Sequence, residues 1–125
     1  MGHIRNHAII VTAEYGDHIH RAHTKARQIF GNYVSEVTPS GTNGSQSFFV
    51  PPDGSKEGWE ESHAGDRRRE EFKTWLRAQA YDDYSTPFSW VELWYGGDDM
   101  DAQIEDDGYT DYRRARAREK NMAAK

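Results

Sequence analysis

Apolar and polar positions along this chain change period several times, and each change marks an element. Ala8-Ile9-Ile10-Val11-Thr12 is a short β-branched run without polar alternation, the pattern of a strand covered on both sides. It predicts a central strand. From Asp17, which offers a helix N-cap, the spacing becomes three and four: Ile19, Ala22, His23, Ala26, Ile29 and Phe30 line one face until Gly31 supplies a stop. Two further strands are expected over 33–38 and 46–50, joined across Pro39 to Ser45, with Asn43-Gly44 as the dipeptide that tolerates positive φ at a hairpin tip. Pro51-Pro52-Asp53-Gly54 ends the second of them, and a long polar loop anchored by Trp59 is expected through Ser62.

A second amphipathic helix is expected to start near Asp66, with Phe72, Trp75, Leu76 and Gln79/Ala80 on one face and Arg67, Arg68, Glu70 and Glu71 free for surface pairing. After the turn Asp82 to Pro87, Phe88-Ser89-Trp90-Val91-Glu92-Leu93-Trp94-Tyr95 alternates as a strand. Val91, Leu93 and Tyr95 point one way and Trp90, Glu92 and Trp94 the other. The order strand, helix, strand, strand, helix, strand predicts a single α+β domain of ferredoxin-like βαββαβ order: an antiparallel sheet with two helices on one face, plus a C-terminal helix. Residues 1–97 form the α/β core in this reading; residues 98–125 add an acidic loop and a basic helix to the same domain. If Val91 and Leu93 face the helices, Trp90 and Trp94 lie on the open face, and an exposed tryptophan pair points to a subunit interface more than to a stacking surface.

A length of 125 residues fits one domain with one core. Hydrophobic content is 35% and mean hydropathy is −1.02, so the core is expected to be thin and to rely on four Trp, seven Tyr and five Phe. The absence of cysteine excludes disulfides and thiol chemistry and fits a reducing compartment. No apolar stretch reaches membrane-spanning length and the N-terminus has no hydrophobic signal core, so a cytoplasmic protein is expected.

Most chemical motifs fail on spacing. Five of the six histidines crowd into the first 23 residues, without a cysteine partner or a His-Glu-x-x-His pattern, which argues against a metal site. His23, on the apolar face of the first helix, reads as a hydrogen-bonded, half-buried residue. Asp98, Asp99 and Asp101 resemble the start of a calcium loop, but Ile104 stands where its glycine belongs and Thr110 where its glutamate belongs. Gly54-Ser55-Lys56 lacks the spacing of a phosphate-binding loop, and no serine or threonine sits in a nucleophile motif. No catalytic residue and no cofactor is therefore expected.

One feature remains. Arg113, Arg114, Arg116 and Arg118 fall directly after a stretch holding Asp98, Asp99, Asp101, Glu105, Asp106 and Asp107, in a chain of net charge −5. Guanidinium groups at helical spacing form a pocket for phosphate or carboxylate, because each is a rigid fork of donors that keeps its charge. The bland reading is a solvated helix whose arginines complement its dipole. An acidic chain with one basic window lacks the broad positive field of a nucleic-acid binder. Arg114 and Arg118 one turn apart, with Phe88 and Trp90 upstream of the acidic loop, suit a single nucleotide: two arginines for phosphate, an aromatic ring for the base, and Asp98 or Asp99 for ribose hydroxyls or a base amine.

The segments Asn6-His7-Ala8-Ile9-Ile10-Val11-Thr12, Pro52-Asp53-Gly54-Ser55-Lys56-Glu57-Gly58-Trp59-Glu60-Glu61-Ser62, and Trp90-Val91-Glu92 before a Gly-Asp-Asp loop resemble small phage proteins, in particular the first Thoeris anti-defence family. Its members sequester the cyclic ADP-ribose isomer of a bacterial immune pathway without cleaving it. The resemblance implies a host-cytoplasmic homodimer or larger ring with a pocket at a subunit interface. In that pocket Phe88 stacks on the base, Asp98 or Asp99 holds polar groups, and Arg114 (or Arg113) with Arg118 binds the diphosphate. The implied ligands are glycocyclic ADP-ribose and, at a separate site, cyclic trinucleotides; duplex nucleic acid and membranes are not expected partners. Competing readings are an enzyme degrading a cyclic nucleotide, and an acidic inhibitor that docks on a host protein.

Overall fold

The computed structural model describes residues 3–123. It is an α+β fold with three helices and an antiparallel sheet. In chain order the elements are β1 (His3–Ile4), β2 (Asn6–Ala13), α1 (His18–Phe30), β3 (Gln46–Val50), β4 (Lys56–Glu57), α2 (Glu60–Ala78), β5 (Phe88–Tyr95), β6 (Ala102–Asp107) and α3 (Thr110–Ala123). The main sheet has the order β3-β2-β5-β6, every neighbouring pair antiparallel, and β1 with β4 forms a separate two-stranded ribbon. A ferredoxin-like sheet is antiparallel as well, and the central strands β2 and β5 here pair antiparallel, with Ala8 opposite Leu93 and Val11 opposite Trp90; the four-stranded ladder, however, includes β6 and not the segment 33–38.

Two departures from the sequence pattern set this strand order. The strand expected over 33–38 forms no regular ladder. It runs along the outer edge of β3 with two backbone bonds, Ser35 N to Phe49 O and Thr38 N to Ser47 O. The Ser35 and Thr38 hydroxyls accept from Phe49 N and Ser47 N, so side chains replace the missing backbone partners. Asn43 (φ 60°) and Gly44 (φ 69°) do take left-handed conformations at the tip between the two segments. The fourth strand of the sheet is instead β6, inside the segment expected to be an acidic loop. Its Asp106 is partnered from the helix layer, as described below.

α1 and α2 cover one face of the sheet. Ile9, Val11 and Ala13 of β2, Phe48 and Val50 of β3, and Phe88 and Trp90 of β5 meet Ile19, Ala22, Ala26 and Phe30 of α1 and Phe72 and Leu76 of α2. Aromatic edges carry much of this contact: Phe30 stands T-shaped on Phe72 at 5.8 Å, and Trp75 tilts against Phe88 at 5.9 Å. α2 starts six residues earlier than the pattern from Asp66 indicates. Glu60 and Glu61 favour the first turn through the helix dipole, and buried Ser62 and Gly65 bring that turn against the protein.

The alternation of β5 is as expected, but its orientation is reversed. Phe88, Trp90 and Glu92 are buried toward the helices, while Ser89, Val91, Leu93 and Tyr95 belong to the open face. Trp90 is 4% exposed, so the tryptophan pair does not form a solvent-facing patch. Its ring also fixes the exit of the sheet. Gly108 approaches it so closely that a Cβ there would lie 2.4 Å from Nε1, and Gly108 N donates to Trp90 O. α3 starts from this contact.

Candidate functional site

The residues expected to form one nucleotide site are dispersed. Phe88 is fully buried in the core, against Trp75 and with the edge of His18 at 6.1 Å, so its ring has no face for a base. This corrects its assignment as a stacking residue. Asp98 and Asp99 sit in the turn between β5 and β6, at the far end of β6 from α3. Six strand residues separate the two ends by about 20 Å. Within one chain Asp98 and Asp99 therefore do not meet Arg114 and Arg118.

The two aspartates have a structural task. Asp98 accepts from Ile4 N at 2.7 Å, and its own N–H donates to Ile4 O at 2.9 Å. Asp99 accepts from Arg5 Nε at 2.7 Å and lies 2.9 Å from His3 Nε2. Arg5 in turn lies over the Trp94 ring at 4.3 Å. The turn fits because Gly97 has φ +62° and no side chain; a Cβ there would lie 2.2 Å from Ile4 O. The bond from Arg5 holds the Asp99 carboxyl below its usual range, against a smaller opposing effect of desolvation. The arrangement is a latch between the N-terminal strap and the β5–β6 turn.

Arg114 and Arg118 lie exposed on α3, one turn apart, and neither has a carboxylate partner among the described residues. Arg113, the alternative to Arg114, donates to Asp107 at 3.0 Å. Its guanidinium and Tyr109 N both hold Asp107, whose carboxyl is lowered in spite of desolvation, the largest and opposing influence. Beyond Ala115 every described side chain of α3 is exposed.

The open face of the sheet is apolar. Ile10, Phe49, Tyr95 and Ile104 are each more than a third exposed, and Ile104 reaches 66%. Ala8, Ile10, Phe49, Leu93, Tyr95 and Ala102 line a concavity of about 680 Å³, with Glu36 at its rim. A second hollow of about 340 Å³ follows toward α3, between Ile10, Val91, Ile104 and Tyr109. The signal for this face is in the sequence as Phe49 and Ile104, each at an alternate position of a half-polar strand. Neither stands out as the tryptophans do.

The most elaborate polar constellation was not legible as such. Lys73 and Arg69, one turn apart on α2, point into the sheet and bracket buried Glu92: Lys73 Nζ donates to Glu92 Oε1 at 2.8 Å, and Arg69 Nε lies 3.5 Å from Oε2. Lys73 also reaches Glu70 at 2.7 Å and Asp106 at 3.1 Å. Arg77 pairs with Asp106 at 2.5 Å and stacks over Trp90 at 5.1 Å. Burial pushes the Lys73 ammonium toward neutrality, and the bonds to Glu70, Glu92 and Asp106 more than reverse this, holding its pKa above the ordinary value. Asp106 is pulled down by Arg77 and Lys73 against its own larger desolvation. With every carboxylate of the cluster matched by a cation, the arrangement binds α2 to β5 and β6.

The histidines are engaged separately. His7 Nε2 lies 2.6 Å from Glu57, His18 Nδ1 lies 2.7 Å from an Arg21 nitrogen, and half-buried His23 lies 2.9 Å from Ser35 O, the role expected of it. Among the described residues no three His, Asp or Glu side chains converge as a metal site, and no helix is long and apolar enough to cross a membrane. No family model, curated protein or solved structure matches the chain.

The lowered carboxylates set an acid limit. Asp53, Asp99, Asp106 and Asp107 all have folded pKa values below the ordinary 3.8, so each contributes stability above 3.8 that is lost as pH falls through the folded value. Urea unfolding followed by circular dichroism should give a flat stability down to about pH 5 and a steep loss below about pH 4. Asp106→Asn should lower the plateau and make the acid limb shallower; an unchanged limb would mean that the Asp106 pairs contribute nothing.

Proposed function

We propose that this protein is a non-enzymatic binder that sequesters an anionic nucleotide signal of the cyclic ADP-ribose class, in the manner of phage proteins that inhibit Thoeris signalling in the host cytoplasm. The observation that supports this reading is the pair Arg114 and Arg118, two exposed guanidinium groups one turn apart on one helix, with no carboxylate partner among the described residues. An always-charged planar donor without a partner suits a diphosphate, to which it offers two parallel hydrogen bonds. The base contact belongs to an exposed aromatic ring and not to Phe88.

The test is depletion and recovery. Protein is mixed with glycocyclic ADP-ribose and, separately, with a cyclic trinucleotide; free ligand is measured, and again after heating the complex. Depletion followed by release of intact ligand is the expected result. Arg114→Ala and Arg118→Ala should each weaken binding by about 10- to 100-fold, corresponding to about 1.5–3 kcal/mol for a charge-assisted hydrogen bond, with unfolding curves unchanged. Release of altered products would make the protein an enzyme. Absence of depletion with both ligands would reject the nucleotide reading in favour of docking on a host protein.

A further inference from the structure

α3 is tied to the body at its start. Its outer turns are solvated, and their ion pair, Arg116 with Glu119 at 4.0 Å, lies within the helix itself. A solvated helix of 14 residues is at the length where isolated helices are marginal in water, because the first turn fixes several residues for one hydrogen bond. Whether Arg114 and Arg118 stand one turn apart on a formed helix therefore depends on what holds that first turn. Gly108 N donates to Trp90 O at 3.1 Å, and the Tyr109 hydroxyl lies 2.5 Å from Ser89 Oγ. These contacts fix where the chain leaves the sheet, but both precede the helix. Asp107 reaches into it. One carboxylate oxygen accepts from Tyr109 N at 2.8 Å, and both accept from Arg113 Nη2, on the fourth residue of α3, at 3.0 and 3.2 Å. Among the described residues this is the only side-chain hydrogen bond or ion pair that joins the body to α3. The negative charge also stands at the positive, N-terminal pole of the helix.

We propose that Asp107 is the positioning residue of the Arg114–Arg118 pair: it nucleates α3 and directs it from the sheet, and Arg113 serves it as counter-ion instead of touching ligand. The inference rests on the nucleotide reading for what the pair grips, but not for how α3 is held. The end of β6 is built for this task. Its last two carboxylates point to opposite faces, Asp106 toward Lys73 and Arg77 of α2 and Asp107 toward Arg113 of α3. A strand end clamped to the helix layer on one side thus carries α3 on the other. The consequence for binding is quantitative. A ligand that needs both guanidinium groups selects the helical state, so its apparent dissociation constant is the intrinsic one divided by the helical fraction. In a marginal helix that fraction falls nearly in proportion to the lost nucleation, and affinity falls with it.

Two measurements on the full chain test it: hydrogen exchange without ligand, read by mass spectrometry over residues 109–123, and affinity for glycocyclic ADP-ribose. Both are made on the wild type, Asp107→Ala, Asp107→Asn and Arg113→Ala. Asp107→Ala should speed exchange in α3 about fivefold and raise the dissociation constant by a similar factor, the size of a lost N-terminal cap, while exchange in β2 and α2 keeps the wild-type rate. Asp107→Asn retains an oxygen for Tyr109 N and should recover most of both. Arg113→Ala should stay within about twofold of wild type in affinity, as for an exposed ion pair. A tenfold loss in Arg113→Ala with α3 exchange unchanged would make Arg113 a ligand contact and overturn its assignment. Unchanged exchange in Asp107→Ala overturns the proposal. So does faster exchange with wild-type affinity, which would mean that the ligand does not require a formed α3. A wild type that binds no nucleotide rejects the nucleotide reading by itself; the ligand-free exchange rates still decide whether Asp107 holds α3.

Discussion

Lys73→Ala is expected to destabilise the fold by about 3–5 kcal/mol, because it leaves Glu92 buried with its principal cation removed. Glu92 is 4% exposed, and Arg69 at 3.5 Å is the only other cation that approaches it among the described residues. Glu92→Ala should cost a similar amount from the other side, by stranding Lys73 and Arg69, although Glu70 and Asp106 retain part of the Lys73 charge balance. The double variant Lys73→Met with Glu92→Leu is the informative one. Replacing both members with apolar groups of similar volume removes two desolvation penalties together, and its stability should lie within about 1–2 kcal/mol of the wild type. Urea unfolding of the wild type, Lys73→Met, Glu92→Leu and the double variant forms the cycle. Single variants within 1 kcal/mol of wild type, a small effect by the standard of a buried pair, would show that water reaches Glu92 and that the cluster is a surface network.

This cluster marks the limit of what the chain pattern conveys. α1 was legible from Asp17 to Gly31, because one apolar stripe and two boundary positions agree, although the Asp17 side chain makes no capping hydrogen bond. β5 was legible as an alternating strand, and His23 as a half-buried hydrogen-bonding residue. The face of β5 was not legible, since alternation is symmetric and only the partner layer decides which set of side chains is buried. With Val91 and Leu93 expected toward the helices, Glu92 fell on the open side; Lys73 and Arg69 on the facing side of α2 draw it into the core instead. Both cations lie at helical spacing from Phe72 and Leu76, on the core stripe itself, and this is the signal that was available.

β6 was hidden for a related reason. A strand carrying Glu105, Asp106 and Asp107 has little β propensity and reads as a loop. Its pairing depends on Lys73 and Arg77, about thirty residues earlier in the chain. The expected strand over 33–38 failed in the opposite sense: its composition suits a ladder, but the Ser35 and Thr38 hydroxyls satisfy the neighbouring strand and the backbone departs from regular pairing. Arg114 and Arg118 were legible as exposed cations because helix position alone decides that. Phe88 was misassigned because sequence adjacency to an acidic turn says nothing about which layer a strand residue faces.

Phe88→Ala separates these two roles by experiment. Its ring is fully buried between Trp75 and His18 at the start of β5, opposite Ala13 of β2, and a core phenylalanine truncated to alanine typically loses about 3–5 kcal/mol. The expected result is a large fall in urea midpoint with an unchanged slope, the sign of lost stability in an otherwise similar fold. Phe88→Leu retains most of the volume and should cost about 1.5 kcal/mol or less. Ligand affinity, measured where both variants remain folded, should follow the wild type, since no face of the ring reaches solvent. A base-stacking residue behaves in the reverse way: stability changes little on truncation, and affinity falls by the roughly 1–3 kcal/mol of an aromatic stack. Loss of affinity in folded Phe88→Ala with its stability intact would therefore place the ring in a binding site that opens in solution, and would overturn its place in the core.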